Sequence, residues 1–117
     1  MSEIQPPLPG FASHRIDLAE NGVLKVSYIQ AIVADHYRIP PREMTSQRRS
    51  QWIARPRQVA MYLTRELTPK SYPDIGRNFG GRDHTTVIHA CKRIEKLMRD
   101  DVEIREDVHA LHSRLTR

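Results

Sequence analysis

The 117-residue chain holds a single cysteine, Cys91. No internal disulfide framework can form, and one thiol suits a reducing compartment. No apolar run approaches the length a membrane-crossing helix needs. The N-terminus, MSEIQPPLPGF, lacks a basic stretch followed by an apolar one. A secretory signal is therefore not expected, and the expected location is the cytoplasm. There is no G-x-x-x-x-G-K-[ST] phosphate loop, no H-E-x-x-H and no paired-cysteine motif. His84 and His89 are five residues apart, which does not place both on one helix face. The reading is a non-enzyme with no metal and no cofactor. No internal repeat, low-complexity tract or strand-period alternation occurs, so the expected fold is all-α.

What is present is positive charge, and it is concentrated. Residues 1–42 carry four Lys/Arg and four Asp/Glu, a net of zero. Residues 43–99 carry twelve against five, a net of +7. Residues 100–117 carry three against five, a net of −2. A basic block between neutral and acidic flanks is the footprint of a polyanion binder, although a solvated basic face has the same composition.

The pattern along the chain predicts a flexible tail over 1–22, broken by Pro6, Pro7, Pro9 and Gly10 and ending in the turn signal Asn21-Gly22. One compact domain of about five helices follows over 23–117. Val26, Ile29, Ile32 and Val33 recur at helical spacing in a first helix from Val23 to Tyr37, stopped by Ile39-Pro40-Pro41. Glu43 to Ser46 reads as a short turn, and Gln47 to Ile53 as a basic loop. A second helix is expected from Ala54 to before Pro69, with Pro56 in its first turn and Val59, Tyr62, Leu63 and Leu67 as its stripe. Ser71 caps a short third helix with Pro73 and Asp74 in its first turn and Ile75 and Phe79 facing the core. Gly80-Gly81 ends it. Asp83 caps a fourth helix whose stripe is Val87, Ile88, Cys91, Ile94 and Met98. A fifth runs from about Val102 to Leu115.

A short helix, a glycine turn and a long amphipathic helix make a helix-turn-helix from Ser71 to Met98. The long helix opens with Asp83-His84-Thr85-Thr86, where a recognition helix reaches base edges in the major groove. Each threonine offers a hydroxyl and a methyl that can meet the thymine methyl, and His84 offers a ring nitrogen. Asp83 is a cap alone, or a cap that also accepts from cytosine. Taken singly, His84, Thr85 and Thr86 are also ordinary first-turn residues. Following Gly80-Gly81-Arg82 inside a +7 block, base reading is the better account. Arg48 and Arg49 sit on an irregular arm that suits the narrow minor groove of A·T-rich DNA, or are simply solvated. Arg55 and Arg57 oppose the dipole at a helix start, which an external phosphate would relieve. Gln58 bonds adenine or caps. Cys91, on the apolar stripe, is expected to be inert.

The run from Gly80 to Glu95, GGRDHTTVIHACKRIE, resembles the signature of the C-terminal DNA-binding domain of the bacterial replication initiator DnaA. Arg48-Arg49, Ala54-Arg55-Pro56-Arg57-Gln58 and Ser71-Tyr72-Pro73-Asp74-Ile75-Gly76 are similar too, so the resemblance spans about residues 24–115. It implies a monomer on double-stranded DNA at a short, non-palindromic, A·T-rich DnaA box, hence nucleoid association. By position, Arg49 would enter the minor groove, and Arg57, Asp83, His84, Thr85 and Thr86 would contact bases. Gln58, Arg65, Tyr72 and Pro73 would hold the phosphate backbone. Arg48, Arg82 and Lys92 are further backbone candidates from charge and placement. The complete initiator also carries an ATPase module, which has no room here. The favoured expectation is a free-standing regulator of replication or transcription. The alternatives are an excised initiator domain, or a protein-interaction module that kept the fold and lost DNA binding. Trp52 and Tyr62 are less usual choices for the family. As large rings they are expected to anchor the core, the alternative for Trp52 being a stack against the DNA backbone.

Overall fold

A computed structural model describes residues 19–20 and 23–117. The expected tail and its Asn21-Gly22 turn lie outside the described residues, apart from Ala19 and Glu20. Those two form strand β1 (Ala19–Glu20), paired antiparallel with β2 (Val23–Leu24) in the register Ala19 to Leu24 and Glu20 to Val23. This small ladder corrects the start of the first helix. The residues that recur at helical spacing begin at Val26, and helix α1 (Val26–Tyr37) begins there, not at Val23. The five helices otherwise make the domain all-α: α2 (Gln51–Leu67), α3 (Tyr72–Asn78), α4 (His84–Asp100) and α5 (Val102–Leu115) complete it. No described helix is long and apolar enough to cross a membrane.

Helix α1 ends one step before its prolines. Arg38 takes the left-handed conformation (φ 59°), and the Ile39 amide donates back to the Ala34 carbonyl at 3.0 Å. A 3-10 turn over Pro41–Met44 follows, two residues earlier than the expected turn, and it buries Glu43 and Met44. Helix α2 is longer than expected at its start. It takes in Gln51, Trp52 and Ile53, so Pro56 stands in its second turn and cannot donate to the Trp52 carbonyl. Burial of Ile53 explains the extension: its side chain has no solvent exposure, and a helical first turn is what delivers it to the core. The far end is closed by buried threonines, with Thr64 Oγ1 donating to the Ala60 carbonyl and Thr68 Oγ1 to that of Thr64.

The core is built on α2, which packs chiefly against α4 and α1. Ile29, Met44, Val59, Leu63, Ile75, Phe79, Val87, Ile94 and Leu111 are all fully buried. Helix α3 has only seven residues, too short to persist alone. Ile75 and Phe79 hold it down, each burying a side chain worth about 2–3 kcal/mol. Its cap forms as expected, Ser71 accepting from the Asp74 amide at 3.3 Å. Gly76 lets the chain fold back tightly. Its carbonyl accepts from the Arg82 amide at 2.9 Å, and a Cβ there would overlap the Arg82 carbonyl oxygen. Gly80 and Gly81 both take positive φ (82° and 74°), which closes α3 and turns the chain into α4.

Candidate nucleic-acid interface

Helix α4 starts on an open surface. Asp83 caps it, one carboxylate oxygen accepting from the Thr85 amide at 2.8 Å and the Thr85 hydroxyl at 2.7 Å. The His84 Nδ1 lies 3.3 Å from the same oxygen. These bonds, the hydroxyl's first, hold the Asp83 carboxyl below the usual carboxylate range. Asp83, His84, Thr85 and Thr86 are all exposed. The cap therefore also orients the Thr85 side chain. With its proton committed to Asp83, the Thr85 oxygen keeps its lone pairs as acceptors on an exposed residue that also carries a methyl.

The basic arm, residues 47–50, is tied to this turn and to α2 by side chains. Arg57, on α2, points inward. Its Nε and Nη2 donate to the Glu43 carbonyl at 3.2 and 2.7 Å, Nη1 to the Arg48 carbonyl at 3.0 Å, and Nη2 also to Ser46 Oγ at 3.1 Å. Arg82, between α3 and α4, donates to the Phe79 carbonyl and, at 2.7 Å, to that of Ser46. Gln47 donates to the Gly80 carbonyl at 3.3 Å. Glu43 receives Ser46 Oγ at 2.7 Å and pairs with Arg48 at 3.1 Å, and the Ser46 bond leads in holding its carboxyl below the usual range. Burial first, and then the neighbouring Arg82, lowers the Arg57 guanidinium to about 10, so it stays charged at neutral pH. Burial lowers Arg82 as well.

These bonds engage two of the residues expected to contact DNA. Arg57, expected among the base contacts, is only 5% exposed and donates to Glu43, Ser46 and Arg48. Arg82, expected on the DNA backbone, is likewise turned onto backbone carbonyls. Arg57 is buried and Arg82 partly buried, each donating to loop and turn carbonyls that helix and sheet leave available. Arg49, by contrast, is exposed, and among the described residues it makes no hydrogen bond or ion pair. Arg48 is exposed and lies 5.7 Å above the Trp52 ring.

Between arm, α2 and α4 lies an open cleft of about 650 Å³, lined by Arg49, Arg57, Gln58, Arg82 and Thr86 among the expected residues. Among the described residues Gln58 Oε1 has no hydrogen-bond partner. His89 and Arg93 line the same cleft and were not among the expected site residues. The spacing Thr86, His89, Arg93 (i, i+3, i+7) puts them on one face of α4 and was the signal available for finding them. Lys92 is exposed on the same helix. At the other end of the helix-turn-helix, the Arg65 guanidinium sits 4.9 Å over the Tyr72 ring, with Pro73 exposed beside it. Tyr62 is half-buried against the core, as a core ring should be. Trp52 corrects the expectation for it: the ring is 54% exposed, because Trp52 lies in the added first turn of α2 next to inward-facing Ile53. Cys91 is buried, which pushes its thiol up to about 11. Among the described residues no three His, Cys, Asp or Glu side chains group to hold a metal ion.

The family model described as "Bacterial dnaA protein helix-turn-helix" matches residues 26–94, which include the arm, α3 and the start of α4. Among curated proteins, the chromosomal replication initiator DnaA of Azoarcus sp. (strain BH72) is 54% identical over 93 residues, 80% of this chain and 19% of that protein. DnaA of Rhizobium meliloti (strain 1021) is 45% identical over 98 residues, 84% of this chain and 20% of that protein. DnaA of Rickettsia africae (strain ESF-5) is 52% identical over 89 residues, 76% of this chain and 19% of that protein. The chain thus spans about a fifth of the length of these relatives.

Proposed function

The chain belongs to the bacterial DnaA helix-turn-helix family, and we propose that it reads DnaA-box-like sites in duplex DNA with two grips set on one frame. The observation that carries this reading is the fastening of the arm and the residues just before it to α2 by Arg57 and to the helix-turn-helix turn by Arg82 and Gln47. Two exposed groups held in fixed relation suit two adjacent grooves of one duplex. Asp83, His84, Thr85 and Thr86 read base edges in the major groove, and Arg49 enters the minor groove on its A·T-rich side. Arg48, Gln58, Arg65, Lys92 and the Tyr72-Pro73 corner hold phosphates. Arg57 and Arg82 position the arm. Each site is bound by one copy, since both grips come from one chain. No nucleotide is needed for these contacts. The protein acts at its boxes in the nucleoid as a regulator, competing with the full initiator or controlling promoters.

Selection of bound sequences from random duplexes tests the reading. A short, asymmetric, A·T-containing motif is expected, and binding that weakens steeply as salt rises. Recovery of no common motif would leave an interaction module that has kept the fold without reading DNA.

A further inference from the structure

We infer that Trp52 is an additional DNA contact, its indole lying against the deoxyribose-phosphate backbone beside the base pairs that Arg49 enters. The inference rests on the DNA-reading function proposed above. Among the described residues only Trp52 and Val102 are large hydrophobic side chains left exposed. Val102 lies at the acidic end of the chain, whereas Trp52 stands three residues from Arg49 in the first turn of α2. Its neighbours Gln47, Arg48, Arg49, Ser50 and Gln51 are all exposed. Glu43, the carboxylate that pairs with Arg48, is buried. The surface around the ring is therefore cationic and selects a polyanion over a protein of mixed charge.

The ring is also held for the purpose. Arg48 lies 5.7 Å from its centroid, and Glu43 fixes Arg48 in turn. A ring on a helix with a partner on one face loses little freedom on binding, so its contact area converts efficiently into affinity. The indole combines an apolar face for sugar carbons with an N–H donor for a phosphate oxygen.

Trp52 is the chain's only tryptophan, so its fluorescence reports on this contact directly. The full chain is titrated with a dye-labelled duplex carrying the selected site and A·T pairs on the arm side. Anisotropy of the dye follows binding, and acrylamide quenching follows exposure of the ring. At saturation, quenching is expected to fall severalfold. Trp52→Ala should bind about tenfold more weakly, equivalent to about 1.4 kcal/mol, with an unchanged melting temperature. Trp52→Phe should lose less. If anisotropy reports binding while quenching stays as in the unbound protein, the inference is overturned and the DNA reading stands; the ring is then open to a protein partner. If anisotropy reports no binding, both fall.

Discussion

Replacing Arg57 tests whether the two grips depend on one frame. Arg57→Ala removes four hydrogen bonds, two of them to the buried Glu43 carbonyl. That acceptor would keep only the longer bonds from the Ser46 amide (3.4 Å) and hydroxyl (3.3 Å), so losing its two charge-assisted bonds costs about 1–3 kcal/mol, and losing those to the Arg48 carbonyl and Ser46 adds about 1–2 more. Relief of the guanidinium's own desolvation offsets part of this. The net expectation is a loss of about 2–4 kcal/mol, or about 10–20 °C in Tm for a domain of this size. Arg57→Lys keeps the charge but not the fork that reaches both Glu43 and Arg48, so it should recover only part of the loss. Thermal unfolding measures this term. Binding is then compared, below the unfolding range, on two duplexes that differ only in A·T content on the arm side. Arg57→Ala should bind both more weakly and discriminate less between them, because Arg49 is no longer held in place. Preference at the base pairs facing Thr85 should survive. A variant with unaltered stability and lost preference at a single base pair would refute the argument and return Arg57 to the bases.

Three further outcomes are expected. Thr85→Ala should cost about 1–3 kcal/mol of binding and relax preference at one base pair; an equal loss on box and scrambled duplex would remove its base-reading role. Arg49→Ala should lose affinity in proportion to A·T content beside the helix site, and a loss indifferent to that content would exclude the minor groove. On the acid side, the Glu43, Asp74 and Asp83 carboxyls are all held low by hydrogen bonds, led by those from Ser46, Ser71 and Thr85 respectively. The unfolded chain therefore binds more protons than the folded one in this range. Their stabilisation is complete above the ordinary carboxylate range, near about pH 4, and is lost as pH falls through the lowered values. Thermal melts in an acid series should show Tm falling there, and in Asp83→Asn the fall should be shallower.

The sequence by itself determined the features whose causes are local. The stripes of α1, α4 and α5 repeat every three or four residues, and Ser71 and Asp83 cap amides two or three residues ahead. The glycine turn needs only left-handed backbone at two positions. All of these were legible, as was the run from Gly80 to Glu95 that points to the family. The start of α2 was not, because the residues before Pro56 read as a loop until the core claims Ile53. Nor was the fate of the arginines. Arg48, Arg49, Arg57 and Arg82 are alike in side chain, yet Arg57 turns inward to a carbonyl 14 residues away and Arg82 to one 36 residues away. Whether a guanidinium meets solvent or an unpaired carbonyl depends on which segments the fold brings together. Only the tertiary structure could divide the charges that hold the arm from the charges the arm presents.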